Sequence, residues 1–497
     1  MKSETIGSEF KKRATACYIG YMLLVFVLSF RNKYFDISET KRAFYLYGTG
    51  FYIVIMSILS LMKSELSLKK LRSSLLGEEG LLCALFGGLI RTWLAGVFWN
   101  IDLSASFWGN SDKCTGLLLY LVGAAAILFI HRSLSWNGLL SWIFLGSTAT
   151  VYVLQILNRF SVDPFHMYEN LITIQIPAFL STLGHMNYNA SFNCIMLGAN
   201  LVFFLNSKER LSQILYGACL FLGYLGSVCC NSDSVFLGIA ISFLAGFWYV
   251  LSHPQKQMQL WLCTILFFFA SCIIAIAYAL PSEPVILVGG PTVFLDAPIL
   301  IAEFLLIALL FVLFSFDLKQ DGKCTCFLRF CSCGFLYLLL PLCALLPIVG
   351  SLHEALASGR GLIWKKCLTL FVEADLPHKL LGFGFNNVRT ALEAYQGNSY
   401  DISGTDVIMD AHNIALNTLV TSGILGVLLW GAFLFLLLKK GLQLCADHEY
   451  ALCIVVGICT YITQGIVNGP QIITTPIFLV ELGILWGIAY KQAPRSS

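Results

Sequence analysis

The feature that most limits this chain is a run of about twenty mostly apolar residues, repeated along nearly its whole length. A helix needs about 20 such residues to cross the hydrocarbon of a bilayer, where no water satisfies exposed backbone groups. Windows of that size centre near residues 22, 52, 89, 123, 147, 197, 221, 243, 269, 307, 341, 425, 459 and 482. The chain is 58% hydrophobic and only 12% charged, whereas soluble domains are about 25% charged. The expected fold class is all-α: a polytopic integral membrane protein of about 14 transmembrane helices, within a range of roughly 12–14. Residues 1–497 read as a single membrane domain embedded in a lipid bilayer. The net charge of +3 and the lack of a basic cluster interleaved with aromatics exclude a nucleic-acid partner. The apolar run from Ala14 to Phe30 follows Lys11, Lys12 and Arg13 as a signal peptide would, but no small-residue cleavage site follows it. It reads as a retained first span.

Most of the 18 cysteines lie inside apolar runs, among them Cys83, Cys219, Cys263, Cys272, Cys453 and Cys459, where Cys behaves as a small hydrophobe. The group CTCFLRFCSC (Cys324, Cys326, Cys331, Cys333) spaces each pair by one residue, where a zinc site prefers two. Reduced juxtamembrane thiols are the simpler reading. His185, His353 and His378 have no metal-ligand spacing, and no outer segment carries an Asp-x-Asp pair. No metal and no cofactor are expected.

Orientation follows from Lys and Arg in the connecting segments. With the N-terminus in the cytoplasm, the inner segments hold 19 of the 31 Lys and Arg and the outer ones 11, with Arg91 inside a span. Five of those 11 fall at 360–389, in one long loop where the rule carries little weight. Both termini are then cytoplasmic, and residues 351–411 form a long extracytoplasmic loop. Loops of this length are usually functional or disordered. In RGLIWKKCLTLFVE, Leu362, Trp364, Leu368 and Phe371 recur near helical spacing, suggesting an amphipathic helix on the membrane surface. Pro377 and the turn at Gly382–Gly384 break it, and NNVRTALEAY suggests a second short helix.

The loop ends in DAHNIALNTLVTS (410–422), a polar mouth on an apolar helix. Asp410 reads as the N-cap of that span, its carboxylate accepting from free backbone N–H groups. His412 then falls in the first turn, where the positive helix end disfavours imidazolium. A neutral imidazole at a membrane–water boundary is a competent general base. Polar punctuation of a helix end explains the same residues more simply.

Three stretches in order resemble the O-antigen ligase and O-antigen polymerase superfamily. They are Ser358-Gly359-Arg360…Trp364, then Leu376-Pro377-His378…Leu381-Gly382-Phe383-Gly384, then Ala411-His412-Asn413…Ser422-Gly423-Ile424-Leu425-Gly426. Thr182-Leu183-Gly184-His185-Met186-Asn187-Tyr188-Asn189-Ala190 is similar to a further stretch of that family that precedes a span. The resemblance covers roughly residues 180–430; the first four spans resemble the family only in hydropathy. It implies a metal-independent, GT-C-like membrane glycosyltransferase in the bacterial cytoplasmic membrane, with its active site on the outer face. Such an enzyme moves a glycan from undecaprenyl diphosphate to an acceptor hydroxyl on a glycan or other molecule.

By this match His412 corresponds to the family's essential histidine and Arg360 to the arginine of its outer loop. An arginine supplies paired donors suited to diphosphate oxygens, although at a membrane surface it also meets lipid headgroups. Asn187 and Asn413 are further substrate-binding candidates, and Asn187 equally suits a local turn. The family often opens a span with Ser-Arg where this chain has Asn231-Ser232-Asp233-Ser234. Asp233 can orient an arginine or the acceptor, or cap a helix. Arg91, within the third span, is a replacement cation, since an intramembrane charge suggests function; snorkelling to the headgroups is the alternative. Polymerase and ligase are not separable by sequence. A transporter or flippase of lipid-linked sugars would show duplicated halves, which are absent, and a non-catalytic relative in polysaccharide assembly is the third reading.

Overall fold

The computed structural model describes residues 2–62, 78–99, 102–110, 113–136, 138–169, 171–280, 295–315, 341, 345–354, 356–400, 404, 407–445 and 448–491. The cysteine group at 324–333 and most of the apolar window near 341 lie outside the described residues. Among the described residues the architecture is all-helical, and the only strands form one two-stranded hairpin. In chain order the helices are α1 (Lys2–Tyr21), α2 (Ile37–Leu61), α3 (Glu78–Gly96), α4 (Leu103–Trp108), α5 (Leu117–Ser133), α6 (Gly138–Arg159), α7 (Met186–Asn206), α8 (Arg210–Cys230) and α9 (Ser234–Val250). They continue as α10 (Gln257–Ala279), α11 (Ala297–Ser315), α12 (Leu356–Glu373), α13 (Leu376–Leu381), α14 (Val388–Gln396), α15 (Ile414–Leu444), α16 (Glu449–Gln464) and α17 (Thr475–Lys491).

Six helical segments are long and apolar enough to cross a membrane by length and composition: Ile37–Leu61, Gly138–Arg159, Met186–Asn206, Arg210–Cys230, Pro254–Ala279 and Ile414–Leu444. Five more are apolar but shorter: Leu117–Ser133, Ser234–Val250, Ala297–Val312, Glu449–Gln464 and Thr475–Tyr490. The chain is therefore a membrane-embedded all-α protein. The apolar run after Lys11–Arg13 is continuously helical, α1 passing into a π-helical turn at Met22–Phe26. Lys41, fully buried, donates 2.7 Å bonds to the carbonyls of Phe26 and Val27 at the end of that turn.

Helix α7 is the central post. It is buried along 94% of its apolar window and packs against α8, α9 and α16. Two of its asparagines are absorbed by a buried network: Gln155 donates to Asn189 and Asn193 at 2.9 and 3.0 Å, and Asn193 donates to Ser227 at 3.1 Å. Buried amides are tolerable only when satisfied in this way.

Helices α12 and α14 form a separate small core with the start of α15. Ile363, Trp364, Cys367 and Leu370 of α12 pack against Val388, Ala391 and Leu392 of α14 and Leu416 and Val420 of α15. The amphipathic stripe at Leu362, Trp364, Leu368 and Phe371 is thus corrected. Only Trp364 of the four is fully buried, Leu362, Leu368 and Phe371 being half-buried, and the fully buried face includes Ile363, Trp364, Cys367 and Leu370. A helix with a protein partner buries the residues that meet it, and the α14–α15 surface meets the face one residue round.

Helix α13 docks on a break in α15. Gly423 has φ +66°, outside helical geometry, which frees carbonyls of the preceding turn. Phe383 N–H donates to Val420 O at 2.8 Å and Gly384 N–H to Thr421 O at 3.1 Å, so they replace the lost helical bonds. The approach leaves no room for a side chain: a Cβ on Gly382 (φ +79°) would lie 2.3 Å from the Thr421 carbonyl carbon, and one on Gly423 would lie 2.3 Å from Leu380.

Candidate functional site

Four separate chain segments meet around Lys113 at one end of the bundle, and each is locked by its own local chemistry. The first is the hairpin Phe179–Leu180 and Gly184–His185, with Phe179 opposite His185 and Leu180 opposite Gly184. Asn189, one turn into α7, holds it shut by donating to Gly184 O at 2.8 Å and to Leu180 O at 3.1 Å while accepting from Ser181 Oγ at 2.6 Å. Arg159, buried at the end of α6, donates to Cys229 O at 2.6 Å and Pro177 O at 3.0 Å, tying the hairpin's approach to α8. The hairpin presents His185, whose Nδ1 accepts from Asn187 N–H at 3.2 Å and caps α7. Asn187 itself accepts from Ser232 Oγ at 2.8 Å.

The second segment is 410–413. Asp410 accepts from His412 N–H at 2.8 Å and from the ammonium of Lys113. With its carboxylate so engaged, Asp410 does not cap α15. Asn413 does, in extended backbone (φ −154°, ψ 128°), its Oδ1 accepting from Leu416 N–H at 2.9 Å and its Nδ2 donating to Ile466 O at 2.8 Å. Two expectations are corrected here. The cap is Asn413, and His412 stands outside the helix in left-handed backbone (φ +46°) rather than in its first turn.

The third segment is Asn468–Gln471, between α16 and α17. Ile472 N–H donates to Lys113 O at 3.0 Å, and Gly469 lies so close to Asp410 that a Cβ would come within 2.5 Å of its carboxylate. The fourth is α12, from which Arg360 donates to Asn468 Oδ1 at 3.4 Å.

Between them is a cavity of about 290 Å³ walled by His412, His185, Asn187, Lys113, Asn468 and Gln471. A neighbouring cavity of about 520 Å³ shares His185 and Tyr188 and continues past Tyr34, Asp36 and Phe179. His412 Nε2 lies 3.6 Å from Asp410 Oδ1, beyond hydrogen-bond range, and its side chain is 31% exposed. Its Nδ1 is enclosed and without a hydrogen-bond partner among the described residues. Nε2 is therefore the nitrogen able to meet a ligand. The amide Nδ2 of Asn468 and Oε1 of Gln471 are also enclosed without a hydrogen-bond partner among the described residues.

The electrostatics favour a neutral imidazole beside cations. Burial, opposed by the Asp410 carboxylate and reinforced by Lys113, Arg360 and His185, holds His412 down at about 4. Burial likewise holds His185 at about 4, with Lys113 and Arg360 adding to the fall. For Asp410, burial pushes the carboxyl up, but His412 and Lys113 outweigh it and keep it well below the usual carboxylate range. Burial pulls the Arg360 guanidinium below its ordinary value, with Asp410 and Asp233 opposing; an arginine remains charged regardless.

Of the residues singled out by sequence, His412, Asn187, Arg360 and Asp410 come together here. Asn413 is adjacent but used as cap and tether. Asp233 takes the N-cap position of α9 without a side-chain bond, because its backbone is already helical (φ −58°, ψ −24°). It acts on the site through its field at Arg360. Arg91 is on an exposed face of α3 and does not line the cavity. Lys113, Asn468 and Gln471 were not anticipated. Their signal is faint: a lone cation in an outer segment, and a polar NGPQ interruption between two apolar runs. Among the described residues no group of three or more His, Cys, Asp or Glu is arranged to hold a metal ion. The arrangement can accept a proton at His412 and neutralise an anion with Lys113 and Arg360. No protein-family model matches the chain, and no curated protein matches it.

Proposed function

We propose that this protein is a membrane glycosyltransferase of the O-antigen ligase and polymerase type, moving a glycan from undecaprenyl diphosphate to an acceptor hydroxyl. In this reading about 14 spans carry the cavity to the outer leaflet of a bacterial cytoplasmic membrane, both termini are cytoplasmic, and residues 351–411 are extracytoplasmic. The observation that carries the proposal is an uncommitted, neutral His412 facing the same small cavity as Lys113, with Arg360 behind Asn468.

In the step, the acceptor oxygen attacks the anomeric carbon and its proton passes to His412 Nε2. The bond from that carbon to phosphate oxygen breaks, and the lipid diphosphate leaves with the electron pair, its added charge met by Lys113 and Arg360. His412 then returns the proton to water. Asp410 is a positioning residue, holding the His412 backbone and anchoring Lys113.

The test supplies purified protein with undecaprenyl-diphosphate-linked oligosaccharide and follows product size. A ladder of lengthened chains identifies a polymerase, and a single transfer to a second acceptor identifies a ligase. Movement of the lipid between leaflets with no new glycosidic bond would overturn the proposal in favour of a flippase.

A further inference from the structure

A third cavity, of about 260 Å³, has no part in the proposed transfer. It adjoins Tyr450 and Cys453 near the start of α16, whereas the end of α16, at Gln464 and Gly465, abuts the His412 segment. Sixteen helical residues rise about 24 Å, so most of a bilayer's hydrocarbon thickness separates the two. The wall is mostly apolar, with Ile195, Met196, Ile477 and Ile484, and carries one acidic side chain, Glu481 of α17, and one imidazole, His448 at the start of α16. Glu481 is only 6% exposed, and its Oε2 has no hydrogen-bond partner among the described residues. Gly457 on α16 makes room for it: a Cβ there would lie 2.3 Å from Glu481 Oε1. Aromatic rings close one end, Trp136 and Phe203 flanking Tyr450 at 5.7 and 6.1 Å between centroids.

A buried carboxylate is normally paired, and an intramembrane one marks a functional site by default. Among the described residues no Lys or Arg lines this cavity, and His448 is engaged by its ring accepting from Ala451 N–H at 3.3 Å. Apolar cavities of this size take up apolar ligands, and aromatic faces attract cations. We infer that the cavity binds a lipophilic ammonium compound, its charged nitrogen paired with Glu481 and its apolar body packed against Met196, Ile477 and Ile484.

The test uses the full chain in nanodiscs of zwitterionic lipid with radiolabelled n-decylammonium. Binding is expected to saturate at one site per chain and to weaken at least tenfold in Glu481→Gln, while competition by uncharged n-decanol changes little. Partitioning that never saturates, equal binding in parent and Glu481→Gln, or equal loss of decylammonium and decanol would overturn the assignment. Should Glu481→Gln fail to fold, Ala199→Phe fills the cavity and leaves the carboxylate. Decylammonium binding that survives that substitution also overturns it.

Discussion

His412 owes its neutrality to burial among cations, and this sets its expected pH behaviour. With the ring held at about 4, transfer should stay level from neutral pH downward and fall only as pH approaches 4, when protonation to imidazolium takes up the ring's free lone pair. His412→Ala should reduce turnover about 10²–10⁴-fold with donor binding retained, read by single-turnover kinetics beside donor-lipid binding. Near-parental turnover would remove the base role. His412 and His185 also link stability to pH. Both have folded values below the ordinary histidine value of 6.5, so the unfolded chain takes up protons first. Their stabilising contribution is complete above about 6.5 and is lost as pH falls toward 4, which thermal unfolding in detergent across that window will register. Arg360→Lys keeps the charge but loses the planar fork, and should impair transfer markedly if two phosphate oxygens are held together. Lys113→Met strands the Asp410 carboxylate; breaking such a buried pair costs about 3–5 kcal/mol. The double variant Lys113→Met/Asp410→Asn should recover part of the lost thermal stability. His412 and Arg360 were legible as residue types suited to the chemistry. The cap was not, because Asp410 and Asn413 are both good N-caps and only the Lys113 contact decides between them.

At the scale of elements, the motif glycines turn out to be about packing. Leu381-Gly382-Phe383-Gly384 and Ser422-Gly423 are the two halves of one backbone joint, in which the turn after α13 supplies N–H donors to carbonyls freed by the break in α15. An alanine at Gly382 or Gly423 adds backbone strain of about 1–3 kcal/mol before any collision with the facing chain. Gly382→Ala should therefore loosen the 356–396 segment and lower activity with the His412 chemistry intact. Faster limited proteolysis within that segment checks this, and parental resistance would contradict it. The helices α12 and α14 were legible because Pro377 and the Gly382–Gly384 turn punctuate them. Their buried face was not. Hydrophobic spacing gives a stripe to within a residue or so, and the docking partner selects which side of it is covered.

For the whole molecule, the apolar runs announce a membrane protein because lipid imposes the same demand on every span. Hydropathy carries no information about which connecting segments touch, so the meeting of Lys113, His185, Arg360, His412 and Asn468 was not legible. The proposed orientation puts that meeting outside the cell. A cysteine replacing Tyr395 should react with an impermeant thiol reagent applied from outside, and one replacing Arg210 should not, each read against the labelling of the parent. The reverse pattern would invert the topology and refute the outer-leaflet site. Lys113 has a further consequence. Its ammonium pairs with a residue 297 positions later, and its carbonyl accepts from Ile472. During synthesis the early helices leave the ribosome with this lysine unsatisfied, and nothing can complete the cluster until the final hairpin has been threaded into the bilayer. A polypeptide stopped before Asn468 would lack that closing piece, so the cavity around His412 can be completed only after α16 has been made.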